Sequence, residues 1–382
     1  MKLTELLQNY PAISVATEAD NKEITRFFNN ICMDTKSFSL RYDRGEDFFA
    51  FSKEQAEKYF IFIIRDESNL IQGTASISFI PHFIHGNDEL CAYLGDLRVS
   101  RTLNLEIRLQ WKKFYLDILN HFVQIEEFKN SKYLYTAILE ENERAMRSLI
   151  KNNDQIIYHE LSTYQTFNIY KEKFFTKVNN PYGYSVTRST LQSCKEFLIK
   201  NNSSETMGHH YTSSDNDVIL HRLKTWHAFS EASFLCVSDA HGKIIAVTAP
   251  WMTIQKKLVI EKMTLFFKIL GRIIPFFGVP PILEGRPINI LNLTHLQFEK
   301  NLTPEQIQTA MALLLQFILK NRKRDFHLIS FFSYPQWKIQ HLPFYKEIVK
   351  GKLYQVMSKE QFQQKQMIKL KESPPAFEIG IA

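Results

Sequence analysis

Apolar runs of strand length alternate along this chain with segments whose apolar positions recur every three or four residues, a pattern that predicts α/β structure. Residues 59–65 (Tyr-Phe-Ile-Phe-Ile-Ile-Arg) predict a buried strand. Asp66-Glu67-Ser68-Asn69 is a turn cluster, so 71–79 is expected to return as the partner strand. Residues 91–99 and 133–139 predict two further strands. Between them Leu103, Ile107, Trp111, Phe114, Ile118 and Phe122 share one face of an amphipathic helix. A short strand at 13–16 and a helix carrying Ile24, Phe27, Phe28 and Ile31 come before this set. A helix at 142–150 and a strand at 156–169 come after it.

The same order recurs from Tyr184, beyond a turn-rich seam at Asn179-Asn180-Pro181-Tyr182-Gly183. A short strand at 186–187 and a helix at 191–199 precede a hairpin, 234–238 with 244–247, turned by Asp239-Ala240-His241-Gly242-Lys243. Residues 288–298 read as a central strand. Thr303-Pro304-Glu305-Gln306 opens the next helix with a capping-box pattern and Pro in its first turn. A strand at 327–332, a short helix within 337–349 and a last strand at 352–357 complete the repeat. The apolar segment 263–279 is interrupted by Lys268, Gly271, Arg272, Pro275 and Gly278, and is expected to be a helix-and-turn insert packed on a sheet or at the domain junction. It is too broken to span a membrane.

At 382 residues, 45% hydrophobic and 13% aromatic, the chain can bury a core in each of two domains, expected at 1–180 and 181–382. A net charge of +7 permits attraction to anions such as CoA phosphates, nucleic acid or an acidic membrane face. Lysines and glutamates are interspersed and no recognition motif accompanies the charge, which argues against a nucleic-acid partner. Cys32, Cys91, Cys194 and Cys236 are scattered, with no metal-ligand spacing, so neither a zinc site nor a disulfide framework is expected. With no signal-peptide pattern at Met1-Lys2-Leu3-Thr4-Glu5, a reducing cytoplasm fits. His209-His210, with Asp215 and Asp217, reads as a polar loop.

The strand Leu94-Gly95-Asp96-Leu97-Arg98-Val99, the helix after it and the start Glu140-Glu141-Asn142-Glu143-Arg144-Ala145 resemble the acyl-CoA-binding core of the GNAT N-acetyltransferase superfamily. The duplicated order, with Thr294-His295-Leu296 after the proline-rich Val279-Pro280-Pro281, resembles bacterial tandem-GNAT proteins. The resemblance implies two tandem α/β domains, each a mixed, mostly antiparallel twisted sheet flanked by helices. It also implies acetyl-CoA or another acyl-CoA as donor, no metal, and an amine acceptor such as a small amine, a peptide N-terminus or a lysine. The donor would lie along Leu97, Arg98 and Val99, with Asn104, Arg108 and Asn142 as further cofactor contacts. The alternative role of Asn142 is a helix N-cap, and that of Arg108 a place on a solvated helix face.

Such chemistry needs a base for the acceptor amine and an acid for the leaving thiolate. Asp96 is the leading base candidate, with a carboxylate paired to Arg98 or another cation as the alternative reading. Glu89 is a weaker candidate of the same kind. The family's proton-donating tyrosine falls on Leu149, which cannot donate, leaving Tyr158 or Tyr164 as substitutes. The family's phosphate-binding loop falls on 104–109, where Ile107 and Leu109 replace small residues and are expected to obstruct the backbone's approach to a pyrophosphate. In the second half, Pro304 and Glu305 disfavour an anion, and His295 is either a cleft base or a core histidine. The leading reading is an N-acyltransferase whose second domain shapes the acceptor site. The alternatives are a catalytically inactive tandem GNAT-like scaffold with protein partners and, behind it, a tRNA-dependent aminoacyl transferase.

Overall fold

The computed structural model describes residues 1–34, 38–151, 155–202, 207–212, 217–321, 325–364, 367–368 and 374–380; Asp215 lies outside them. The first half runs α1 (Leu3–Leu7), β1 (Ile13–Val15), α2 (Asn21–Asn29), β2 (Cys32–Asp34), β3 (Phe38–Asp43), α3 (Ala50–Gln55), β4 (Lys58–Arg65), β5 (Ile71–Ile84) and β6 (Asn87–Val99). It continues with α4 (Leu105–Asn120), β7 (Ser131–Leu139), α5 (Glu143–Ala145), which runs on as a π-helical turn over 146–151, and β8 (Ile156–Glu172). The second half runs β9 (Ser185–Arg188), α6 (Leu191–Asn201), β10 (Met207–His209), α7 (Val218–Thr225), β11 (Leu235–Ser238), β12 (Ile244–Trp251), β13 (Lys257–Met263) and α8 (Leu265–Ile273). It ends with β14 (Pro287–Ile288), β15 (Ile290–Phe298), α9 (Pro304–Lys320), β16 (Leu328–Ser333), β17 (Phe344–Ser358) and α10 (Lys359–Gln363).

These strands form a mixed, mostly antiparallel sheet of 13 described strands in the order β1-β4-β5-β6-β7-β17-β8-β16-β15-β12-β11-β9, with β10 on β5. Among the described strands two neighbouring pairs are parallel, β6 with β7 and β15 with β16. The halves exchange their last strands. β17, from the C-terminal half, lies between β7 and β8, while β8 also pairs with β16. Gly351 of β17 faces Tyr164 of β8, and a Cβ there would come within 2.3 Å of the tyrosine ring, so the crossing strand needs glycine at that point. A second sheet, β14-β13-β3-β2, joins segments more than 200 residues apart.

The expected periodicities build the packing. Ile61, Phe62, Ile63 and Ile64 are all buried because β4 is covered on both faces. Ile107, Trp111, Phe114 and Ile118 place one stripe of α4 onto the sheet. Thr303 and Gln306 form the expected capping box of α9, and Asp239 turns the expected hairpin. Two expectations are corrected. The segment 337–349 is not a helix: a single 3-10 turn at Pro335–Trp337 precedes β17, which already starts at Phe344. The segment 263–279 does not bury its apolar face; α8 packs through Gly271 and leaves most of its large apolar side chains exposed.

Candidate functional site

Each half carries a β-bulge at the same place. In the β5–β6 ladder, Thr74 pairs with Arg98 and Ser76 with Gly95, so Asp96 and Leu97 together oppose Ala75. In the β12–β15 ladder, His295 and Leu296 together oppose Thr248. Asp96 and His295 are both left-handed, with φ of 51° and 52°. Such a backbone is uncommon outside glycine, though Asp and His adopt it more readily than most residues.

The parallel partner strands separate three residues before each left-handed bulge residue. The β6–β7 register ends at Tyr93–Tyr135, although β6 continues to Val99 and β7 to Leu139; Thr136 Oγ1 donates to Leu94 O (2.8 Å) at the fork. The β15–β16 register ends at Asn292–Ser330. Two wedge-shaped openings result, and their contents differ. The second contains the chain's own tail: Glu378 Oε1 accepts the backbone N–H of His295 (2.8 Å), and Tyr334 donates its hydroxyl to Phe377 O. Beside the tail is a cavity of about 360 Å³. At the first wedge Leu97 and Leu139 are exposed.

Around His295 the second wedge holds a closed polar cluster. Arg222 Nη1 donates to Glu378 Oε2 (2.7 Å) and lies 2.9 Å from His295 Nε2; His209 Nε2 lies 3.2 Å from Glu378 Oε1 and Tyr211 Oη 2.9 Å from His295 Nδ1. Burial and Arg222 hold the His295 pKa well below its ordinary value. Against the cost of burial, Arg222 above all, with the hydrogen bond to His209, holds the Glu378 carboxyl well below the ordinary carboxylate range. His295 is therefore a neutral, hydrogen-bonded core histidine.

Asp96 turns its carboxylate to the other side of its strand, onto the guanidinium of Arg44. Arg44 is wholly buried, its Nε and Nη1 without hydrogen-bond partners among the described residues, and the rings of Phe28, Phe48 and Phe51 lie 4.3–5.5 Å from it. Burial raises the Asp96 pKa, but Arg44, Lys256 and Arg98 outweigh it and hold the group anionic. Arg98 lies over Phe28 (4.3 Å) and Tyr42 (5.4 Å), with this cluster. Nearby, a cavity of about 490 Å³ is lined by Tyr42, Tyr93, Tyr164, Lys256, Asn292 and Ser330 among others, roofed by β3, β13 and β14. Burial, with Arg44 and Arg98, pulls the Lys256 pKa from 10.5 down to about 7. Burial pushes Glu54, which accepts a hydrogen bond from Thr253, up to about 7.

The remaining candidate residues are dispersed. Glu89 is paired with Lys132 (3.1 Å), seven positions before Asp96 and so about 20 Å along the strand. Tyr158 Oη lies 3.2 Å from Tyr115 Oη, and burial raises its pKa to about 12. Its strand is separated from β7 by β17. Asn104 and Asn142 cap α4 and α5, accepting the amides of Glu106 (2.8 Å) and Ala145 (3.1 Å). Arg108 donates to the carbonyls of Ser100, Arg101 and Leu103, bracing the loop before α4. Ile107 does not obstruct that loop, since its side chain enters the core; Leu105 and Leu109 are the exposed ones. Val99 O receives Arg144 Nη2 (3.4 Å).

Three residues at these openings were not singled out from sequence. Arg44 and Lys256 sit in Asp-Arg-Gly and Gln-Lys-Lys strings that look like solvated turns. Tyr354 lies opposite Thr136, on the strand that pairs with the far side of β7 from the first wedge, with its hydroxyl near Met146 Sδ (4.0 Å). It is invisible as a candidate until β17 is known to cross into the first half.

No family model and no curated protein matches the chain. Solved structures do. Saccharomyces cerevisiae N-myristoyltransferase with bound myristoyl-CoA superimposes with a TM-score of 0.53 at 9% identity, over 90% of this chain and 82% of that one. A GCN5-related glucosamine N-acetyltransferase region of a fungal multi-domain GH3 β-N-acetylglucosaminidase superimposes with a TM-score of 0.58 at 10% identity, over 90% of this chain and 38% of that one. The fold is therefore the one these GCN5-related and N-myristoyl transferases share.

Proposed function

We propose that the protein is an N-acyltransferase that draws an acyl group from an acyl-CoA, acetyl-CoA being the simplest, and passes it to an amine. The carrying observation is the first wedge, opened by the Asp96 bulge, in a fold shared with a myristoyl-CoA-bound transferase. In this reading residues 1–180 hold the donor along Leu97, Arg98 and Val99, as in bacterial-type tandem proteins. Residues 181–382 are a degenerate copy whose wedge is taken by its own tail, and they help to wall the acceptor cavity. The free cysteines suit a reducing cytoplasm; among the described residues no helix is long and apolar enough to cross a membrane.

In the reaction, the amine nitrogen attacks the thioester carbonyl carbon, the C–S bond breaks and an amide forms. The proton lost by the amine goes to a base, and the departing thiolate takes one from an acid. Lys256, whose pKa burial pulls down to about 7, is the base with the better-matched pKa, while Asp96 stays anionic and holds the incoming ammonium. Tyr354 is the proton donor for the thiolate, with the Tyr158 ring set against it at 6.1 Å. The test is release of free CoA thiol from acetyl- and longer acyl-CoAs in the presence of small amines, peptides with free N-termini and lysine peptides. Amine-dependent release supports the reading. Absence of release with every pairing contradicts it.

Two observations favour the scaffold alternative: Arg108 is committed to loop carbonyls, and Glu106 stands in the first turn of α4, where a pyrophosphate would be repelled. A chain that binds no acyl-CoA would belong to that reading.

A further inference from the structure

We propose that α8 is a docking helix that seats the protein on an anionic lipid bilayer. The inference stands apart from the acyltransfer reading.

Amphipathic helices in this protein bury their apolar face, as α4 does with Ile107, Trp111, Phe114 and Ile118. In α8 the arrangement is reversed. At about 100° per residue, Leu265, Ile269, Ile273, Phe266 and Leu270 cover one continuous arc, and every one of them is exposed. Leu265 is 73%, Phe266 68% and Ile269 54% accessible, so more than half of each faces water. The opposite, narrow side holds the helix down. Gly271 lies against the backbone of Ile282, where a Cβ would meet the Ile282 carbonyl oxygen at 2.2 Å, and Ile282 N–H donates to Gly271 O (3.2 Å). Phe267 lies on Phe38 of β3 with ring centroids 4.6 Å apart. The mounting is thus specific, and the apolar arc is what it presents outward.

Charge identifies the occupant. Lys268 and Arg272 fall on one flank of the arc, and exposed Lys262 and Arg286 lie on the segments either side of the helix. The neighbouring acids Glu261 and Glu284 are each in an ion pair, with Arg41 and with Lys268 (3.0 Å). The surplus of Lys262, Arg272 and Arg286 is therefore positive. An apolar arc of Phe, Leu and Ile edged by cations lies flat in a bilayer interface, its apolar side chains about 5–10 Å deep and its cations at the headgroups. A second copy of the chain would bring the same positive surplus against itself.

The test is cosedimentation of the full-length protein with vesicles of phosphatidylcholine alone and of phosphatidylcholine with phosphatidylglycerol in equal parts. The protein should partition onto the anionic vesicles, less so at high salt and onto the neutral ones. The double variant Phe266→Ser/Ile269→Ser should weaken partition about tenfold or more, and Lys262→Glu/Arg272→Glu should abolish the preference for anionic lipid. All four positions are exposed, so unchanged thermal melts are expected and checked. Wild type and Phe266→Ser/Ile269→Ser partitioning equally, or neither partitioning, overturns the proposal. A concentration-dependent dimer abolished by the same variant would also overturn it, assigning the face to a second copy.

Discussion

Asp96 and His295 are counterparts: each is the left-handed residue of a bulge in equivalent strands, and each meets a buried arginine, Arg44 and Arg222. One position stays beside an open wedge and a cavity. The other is sealed by Glu378 of the tail, which takes the bulge amide for itself. The repeated geometry is a property of the fold, and its different surroundings separate an open wedge from one occupied by the tail.

Asp96→Asn keeps a residue that tolerates the left-handed backbone but removes the charge facing Arg44. It should destabilise the protein by about 3 kcal/mol, because the buried guanidinium loses its partner. It should also push Lys256 to titrate lower still, since Asp96 is the anion that raises it. Urea denaturation reads the first effect. A loss below about 0.5 kcal/mol, the range of ordinary surface changes, would contradict the pairing.

Lys256 gives a pH signature. Between about pH 7 and its ordinary 10.5 the folded group is neutral while the unfolded one is protonated, so the unfolded state binds more protons. Relative to Lys256→Met, the wild type should therefore gain stability as pH rises through that window, with a limiting slope on the order of 1.4 kcal/mol per pH unit. If the neutral amine is the base, turnover should rise through pH 7 and collapse in the variant. Parallel stability curves for the two proteins would place the lysine in water.

Tyr354→Phe should lower kcat by about a hundredfold, the modest end of general acid catalysis, with acyl-CoA affinity unchanged. Tyr158→Phe should have the smaller effect. Equal losses, or a change confined to KM, would remove Tyr354 from the proton path.

Glu378→Gln leaves Arg222 buried without its counter-charge and should cost about 3 kcal/mol at pH 7. Because the wild-type carboxyl is held below its ordinary value of 4.5, its contribution is present above that pH and is lost as pH falls below it. The variant should lack this part of the acid sensitivity while binding acyl-CoA as the wild type does. A loss of acyl-CoA affinity would tie the second wedge to the donor.

The sheet was legible where burial on both faces forces unbroken apolar runs, as at Ile61–Phe62–Ile63–Ile64, and where periodic helices lie on it. It was illegible where pairing is long-range. Residues 38–43 (Phe-Ser-Leu-Arg-Tyr-Asp) do alternate apolar and polar side chains, but the run is short, half-buried on both faces, and its partner β13 lies far away in sequence. Likewise 344–351 carries Lys346, Glu347 and Lys350 with no apolar alternation yet is strand, held by β8. Asp96 could be singled out from its strand motif. The cation that holds it anionic, the lysine lining the adjacent cavity and the tyrosine one strand beyond the wedge come from segments that only the fold brings together.

The most direct test of the donor site is calorimetric titration of acetyl-CoA and a long-chain acyl-CoA into the wild type, Arg144→Glu and Lys300→Glu. Arg144 touches the first wedge at Val99 O, and Lys300 lines the cavity beside the second. The account predicts micromolar binding that Arg144→Glu weakens about tenfold, as reversing a charge beside a phosphate-bearing ligand should, and that Lys300→Glu leaves unchanged. No binding at millimolar acyl-CoA, or weakening by Lys300→Glu alone, would contradict it.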